Sequence, residues 1–134
     1  MSLDITSTLR GRLPFINGRR PLPLQKIARK LLPRDYSLSL VFCGDHLARR
    51  LNRQRRHKDY PANVLSFPLS KTEGEIFIDV LKAAREARRL GISHNHRIAH
   101  LVVHAILHLK GHAHSDKMDR TEQSILRSFG FWQK

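Results

Sequence analysis

The chain has 134 residues, of which 40% are hydrophobic, so it is long enough to bury the core of one domain, predicted to span residues 1–134. Its 25 Lys and Arg residues against 11 Asp and Glu give a formal net charge of +14, which favours nucleic acid as a partner over a membrane surface. A single cysteine excludes a disulfide framework, and no run of about 18 apolar residues predicts a transmembrane helix. With no apolar signal core at the N-terminus, we expect a cytoplasmic protein.

The first 43 residues alternate between strand and helix patterns. Near-alternating apolar residues predict a strand over residues 3–9, and a loop rich in Gly and Pro follows as far as residue 23. Apolar residues at helical spacing predict a helix over residues 24–32, and the apolar run at 37–43 predicts a second strand that contains a buried Cys43. The order strand, helix, strand favours a parallel, right-handed crossover.

The middle of the chain predicts one more helix and a pair of strands. The helix covers about residues 45–53, with Leu47 and Leu51 facing inward. Short strands are expected at 64–67 and 75–78, and the polar loop between them favours antiparallel pairing.

The second half is predicted to be helical, which makes the fold class α+β. Asp79 caps one helix that ends at Gly91, the next helix carries several histidines, and Ser115 caps the last. The expected core positions are Val80, Ala83, Ala84, Ala87 and Leu90 in the first of these helices, Ile98, Leu101, Val102, Ala105 and Leu109 in the second, and Met118, Ile125, Leu126 and Phe129 in the third.

Three histidines have the spacing of a one-metal site. His104 and His108 are four residues apart, so they share one helix face, and Gly111 can adopt a positive φ that turns the chain back and brings His114 to the same point. Three neutral imidazoles leave a fourth coordination position open, as in catalytic zinc sites. The pattern therefore predicts zinc bound by these three residues, although such a site also accepts other divalent transition metals.

The histidines allow other interpretations. A bare pair four apart is more often surface or core than ligand, but the glycine and the third histidine argue against that interpretation. Ala105 stands where zinc proteases carry their general-base Glu, so a metalloprotease is disfavoured. His100 lies about 12 Å along the helix from His108 and is expected to be a partly buried neighbour, whereas His112 is the substitute ligand if the register differs. His94 and His96, at the start of this helix, are expected to be exposed.

A basic cluster precedes the first short strand. It is either a solvated helix end or a phosphate-binding surface, and the net charge and the metal motif favour the second. One of its arginines is expected to stabilise the charge that develops on a phosphodiester as it is cleaved. The residues predicted to bind RNA are Arg49, Arg50, Arg53, Arg55, Arg56 and Lys58.

Across residues 38–126 the chain resembles the YbeY family of bacterial endoribonucleases, also called rRNA maturation factors. Leu51-Asn52, Arg56, Asp59 and residues 61–68 are similar to LNxxxRxxDxPTDVLSFP, residues 74–78 to GDIxI, and residues 104–114 to HGxLHLxGYDH. The chain departs from these patterns at six positions without losing a predicted ligand: Ala62-Asn63 replaces Thr-Asp, Glu75 replaces Asp, Ala105 replaces Gly, and His112-Ala113 replaces Tyr-Asp.

The resemblance implies a small mixed four-stranded sheet packed with about five helices, and a metal site on a helix and the turn after it. It implies catalytic roles for His104, His108 and His114 as zinc ligands and for Arg56 as the functional arginine. The implied activity is cleavage of single-stranded RNA in rRNA maturation and ribosome quality control, with ribosomal subunits or ribosome-associated proteins as partners. The alternative function is a non-catalytic RNA-binding ribosome assembly factor with a structural metal.

Overall fold

The computed structural model describes residues 1–132, which form four strands and six helices. None of these helices has the length and hydrophobicity needed to cross a membrane. The elements in chain order are β1 (Ser2–Ser7), α1 (Pro14–Asn17), α2 (Leu24–Leu31), β2 (Ser37–Cys43), α3 (Asp45–Arg56), β3 (Val64–Ser70), β4 (Glu73–Asp79), α4 (Val80–Leu90), α5 (His94–Leu109) and α6 (Asp116–Ser128).

The strands form one mixed sheet in the order β1-β2-β4-β3. β1 and β2 pair in parallel, as do β2 and β4, whereas β3 pairs antiparallel with β4 and forms an edge of the sheet. The predicted α+β class, the parallel pairing of the first two strands and the antiparallel pair are confirmed. β2 is mostly apolar because it lies in the interior of the sheet, where both of its faces are covered.

The helices pack against the sheet and against one another. α5 contacts β3 and β4 and also contacts α2, α4 and α6, so the histidine helix is held between neighbours. α3 contacts β3 and β4. Cys43 at the end of β2 is fully buried, as predicted, and burial raises the pKa of its thiol to about 12. Because two strands and three helices contact it, the histidine helix is part of the core.

α3 is longer than predicted, and a different face of it is buried. It ends at Arg56, three residues beyond the expected end, because its last turn carries arginines that have no apolar periodicity to mark them but are good helix formers. Leu47 and Leu51 are only half-buried, whereas Ala48 and Asn52 are the buried positions, which corrects the predicted inward face.

Several other boundaries differ from the predictions. β1 ends at Ser7, and the expected loop before residue 23 contains the four-residue α1, which is too short to show a period. Its Phe15 is fully buried, with its ring centroid 4.8 Å from that of Phe42. β3 and β4 extend toward each other until only residues 71–72 separate them. Leu90 is exposed and not part of the core stripe of α4.

Asp79 gives the fold a pH dependence. Its Oδ1 caps α4 by accepting hydrogen bonds from the backbone N–H groups of Leu81 and Lys82 at 3.0 and 3.1 Å. Burial, together with the neighbouring carboxylate of Asp45, raises the pKa of Asp79 to about 7. An unfolded Asp has a pKa of about 3.9. The folded protein therefore holds an extra proton between these values and loses stability as the pH rises from about 4 to about 7.

We expect Asp79→Asn to remove this dependence, because the amide oxygen still caps the helix but the side chain no longer titrates. The free energy of unfolding of the wild-type protein should fall relative to that of the variant by at most about 1.4 kcal/mol per pH unit across that window. Denaturant titrations of both proteins at several pH values measure the difference. Parallel stability curves would show that Asp79 is ionised throughout in the folded protein.

Candidate functional site

The last turns of α5 bring two imidazoles together. The Nε2 atoms of His104 and His108 are 3.0 Å apart, and the ring centroids are separated by 4.5 Å. α5 ends at Leu109, and Gly111 has a φ of +89°, the left-handed conformation predicted for it, with its N–H bonded to the carbonyl of His108 at 2.9 Å. The four-residue spacing and the glycine thus produce the local geometry expected from the sequence.

His114 lies on the same side of the molecule as this pair. Its ring centroid is 6.3 Å from that of His104, and both side chains line a pocket of about 450 Å³. Ser115 then caps α6 by accepting a hydrogen bond from the N–H of Met118, so the turn that carries His114 is short and fixed at both ends. In residues 1–132 no three His, Cys, Asp or Glu side chains already stand at metal-binding positions, and the three-histidine ligand set stays a prediction.

A buried carboxylate from α6 contacts this site. Glu122 is 3% exposed; its Oε1 is hydrogen-bonded to Nδ1 of His104, and its Oε2 lies 3.0 Å from Nε2 of His100. Burial alone would raise the pKa of Glu122, but hydrogen bonds from His100 and His104 outweigh it and lower the pKa to about 2. Burial, and then the neighbouring His104, lower the pKa of His108. The site is therefore built to keep Glu122 ionised and His108 neutral.

These contacts fit a divalent metal ion. Because the carboxylate of Glu122 accepts the proton on Nδ1 of His104, the lone pair of that imidazole is left on Nε2, directed toward Nε2 of His108. Two imidazole nitrogens that face each other at 3.0 Å, with a carboxylate behind one of the rings, form the donor set typical of zinc sites. A metal at this point would satisfy both lone pairs at once.

A second pocket is also lined by His104. It has a volume of about 430 Å³, and its walls include Arg56, His104 and His108. Arg56 is the last residue of α3, and Ser66 and Phe67 of the edge strand β3 form another wall. The fold thus brings the arginine singled out by the sequence into one cleft with the histidine pair, from a position about 50 residues away in the chain.

Comparison with known proteins agrees with the sequence motifs and the geometry. A family model described as Endoribonuclease YbeY matches residues 23–130. The chain belongs to the YbeY endoribonuclease family. The endoribonuclease YbeY of Chelativorans sp. (strain BNC1) is 39% identical over 110 residues, which cover 72% of this chain and 68% of that protein. The endoribonuclease YbeY of Thiobacillus denitrificans is 33% identical over 135 residues, covering 90% of this chain and 92% of that protein.

A solved structure shows the same fold. The solution structure of a Thermotoga maritima protein superposes with a TM-score of 0.69 over 95% of this chain and 88% of that one, at 24% sequence identity. The overall fold is therefore shared with a solved protein, and the predicted fold class is confirmed.

Asn63, one of the departures from the YbeY pattern, belongs to a polar network beside the site. Its amide nitrogen donates to both oxygens of Glu86 at 3.2 and 3.3 Å. Arg97 donates from Nε to Glu86 Oε1 at 3.0 Å, and its Nη1 lies 3.2 Å from Nδ1 of His100. An amide suits position 63 here because an aspartate would place a second carboxylate against Glu86. The carboxylate that contacts His104 comes instead from Glu122.

The remaining histidines of α5 have structural contacts. His100 is partly buried between Arg97 and Glu122, as expected for a neighbour of the predicted ligands. The prediction that His94 and His96 are exposed is wrong. His96 is buried with its ring centroid 5.4 Å from that of Phe131, and Nε2 of half-buried His94 lies 3.0 Å from the carbonyl oxygen of Val80. Both histidines lie at the start of α5, where the sequence suggests exposure, but the packing of α5 against its neighbours covers them.

The residues of the basic cluster have different contacts and line different surfaces. Arg49 donates two hydrogen bonds to Asp59 at 2.9 and 3.0 Å, and Arg53 lies 3.8 Å from the same carboxylate. The guanidinium of Arg55 stacks 5.2 Å from the centroid of the Phe67 ring. Of the six residues predicted to bind RNA, Arg56 lines the cleft that contains the histidine pair, whereas Arg49, Arg50 and Arg53 line a separate hollow with His46.

Glu122 is the residue of this site that sequence reasoning missed. It lies four residues after Met118 and four before Leu126, both buried, so it occupies the apolar stripe of α6. A carboxylate on an otherwise apolar helix face is a signal that could have been used, because burying it requires a partner inside the fold.

Proposed function

We propose that this chain is a zinc-dependent endoribonuclease that hydrolyses phosphodiester bonds of single-stranded RNA in rRNA maturation and ribosome quality control. Ribosomal subunits or ribosome-associated proteins are its proposed partners, and the cytoplasm is its proposed location. The observation that carries the proposal is the facing pair of Nε2 atoms of His104 and His108, in one cleft with Arg56. Relatives that are 33–39% identical bear the name endoribonuclease YbeY, which supports RNA as the substrate.

The residues of the cleft divide the work of binding and cleavage. His104, His108 and His114 hold the ion, and Glu122 fixes His104 in the orientation that the ion requires. When bound, zinc supplies Lewis acidity and activates water for attack on the phosphorus. Arg56 has five N–H donors in a planar fork, which suits two oxygens of one phosphate, and it stabilises the negative charge that develops on them.

The surface charge explains how RNA is gathered to this cleft. The excess of 14 positive charges attracts a polyanion at long range. Phe67 lines the cleft together with Arg56, and its ring lies against the guanidinium of Arg55; aromatic rings and Arg side chains are the groups on which single-stranded bases stack, which supports an unpaired substrate. A base that is already stacked inside a duplex cannot make this contact.

A panel of substrates tests the proposal. We expect cleavage of single-stranded RNA but not of double-stranded DNA, and an affinity for single-stranded RNA that falls steeply between about 50 and about 200 mM salt as counterions are displaced. Equal cleavage or equal affinity for double-stranded DNA, or an affinity that does not change with salt, would contradict it. RNA binding with no cleavage by fully metallated protein would instead favour the non-catalytic assembly factor.

A further inference from the structure

We propose that Glu122, held in place by Arg97 through His100, fixes the tautomer of His104, and that His100 is a positioning residue and not a metal ligand. The proposal deepens the proposed function, since it concerns how the same site presents a nitrogen to its ion. It rests on one continuous set of hydrogen bonds that joins α4, α5 and α6.

The direction of each hydrogen bond follows from which groups can only donate. The guanidinium of Arg97 has no acceptor, so its contact at 3.2 Å requires Nδ1 of His100 to be unprotonated. A neutral imidazole has a single N–H, which must then be on Nε2 of His100. That N–H donates to Oε2 of Glu122 at 3.0 Å.

The same reasoning extends to His104. Oε1 of Glu122 is bonded to Nδ1 of His104, and an ionised carboxylate has no proton to donate, so Nδ1 must carry the proton. The lone pair of His104 is thereby confined to Nε2, the atom that lies 3.0 Å from Nε2 of His108. Arg97 and Glu122 together therefore set the proton position of His100, and Glu122 sets that of His104, one helical turn away.

Burial makes this arrangement rigid. Glu122 is 3% exposed, and the side chains of Arg97 and Glu86 are 14% and 10% exposed. Glu86 binds the far edge of Arg97 at 2.9 and 3.0 Å, and Asn63 in turn donates to Glu86. If Arg97 turned away from His100, the buried carboxylate of Glu86 would lose its guanidinium partner. Such a loss is costly in a low-dielectric interior.

Glu122→Gln tests this logic, because it keeps the shape of the side chain but changes what it can accept. A glutamine has one acceptor oxygen and one N–H₂ donor, so it cannot accept N–H groups from both His100 and His104. Since Arg97 still fixes His100, we expect the glutamine oxygen to face His100 and its N–H₂ group to face His104. The proton of His104 then moves to Nε2 and blocks the nitrogen that the ion needs.

The first readout is the ¹⁵N NMR spectrum of the histidines in metal-free protein at about pH 8, where an imidazole of ordinary pKa is neutral. In the wild-type protein we expect His104 to be protonated on Nδ1, and in Glu122→Gln on Nε2. The second readout is zinc affinity by competition with a chelator, expected to fall about 10–100-fold in the variant. Glu73→Gln is the control, because it makes the same change from carboxylate to amide at the exposed first residue of β4, which lines neither of the two pockets beside His104.

Substitutions of His100 separate positioning from ligation and keep the test valid if Glu122→Gln does not fold. His100→Gln retains a donor toward Glu122, so we expect nearly wild-type zinc affinity, whereas His100→Leu removes that donor and should weaken zinc binding severalfold. Equal losses in both variants would overturn the assignment of His100. The assignment of Glu122 is overturned if wild-type His104 carries its proton on Nε2, or if Glu122→Gln leaves its tautomer unchanged. The tautomer is measured without metal, so failure of the wild-type protein to bind zinc would contradict the proposed function alone.

Discussion

Arg56→Lys should reduce the single-turnover rate of RNA cleavage about 10²–10³-fold, nearly as much as Arg56→Ala, by analogy with the loss of one oxyanion-stabilising donor. Lysine keeps the positive charge but lacks the planar fork that engages two phosphate oxygens, and Arg56 is the one Arg or Lys among the described residues that line the cleft beside the histidine pair. RNA affinity should fall only slightly, because many other cations of the surface supply the long-range attraction.

The control for this comparison is Arg88→Ala, which removes one cation from the exposed last turn of α4. Metal content has to be equal in all variants, and the RNA has to be saturating, so that only the cleavage step is compared. If Arg56→Ala then cleaves at the rate of the wild-type protein, Arg56 belongs to the general basic surface and has no role in the reaction.

His114→Ala should lose both bound zinc and RNA cleavage, whereas His112→Ala should keep them. Both histidines lie in the exposed turn after Gly111, two residues apart, so the pair compares the same chemical change in the same segment. Removing one of three protein ligands leaves an ion with two, too few to hold zinc against water and buffer. RNA affinity should change little in either variant, because both keep all the Lys and Arg residues that supply the long-range attraction.

The reverse result would move the third ligand to His112, the substitute that the sequence allows. Loss of zinc in both variants would show that the turn as a whole, and not one imidazole, is needed. Zinc content by elemental analysis and RNA affinity by direct titration are measured on the same preparations.

The sequence predicts well those features that depend on neighbours in the chain. The cap at Asp79, the end of α4 at Gly91 and the turn at Gly111 are all observed, because each depends on a conformational preference within a few residues. β2 is predicted at its observed bounds, since a mostly apolar stretch of seven residues between turn signals is typical of a buried strand.

Features that arise from contacts between distant elements are harder to predict. The pairing of Arg49 with Asp59 depends on the way the chain turns back after α3, and nothing in the arginine-rich pattern indicates which guanidinium groups become engaged. The contact of Glu122 with His104 joins two helices, and sequence spacing carries no information about how helices pack. The motif therefore identifies candidate ligands, whereas the fold identifies the carboxylate that orients one of them.

The most direct test of a zinc-dependent endoribonuclease is to strip the protein of metal, add zinc in measured amounts and follow single-turnover cleavage of single-stranded RNA. We expect no cleavage by the stripped protein, a rate that rises in proportion to zinc, and a plateau at about one ion per chain. RNA affinity should remain nearly constant through the titration. Cleavage by the stripped protein at the rate of the metallated protein, or no cleavage at any zinc content while RNA still binds, would contradict the account.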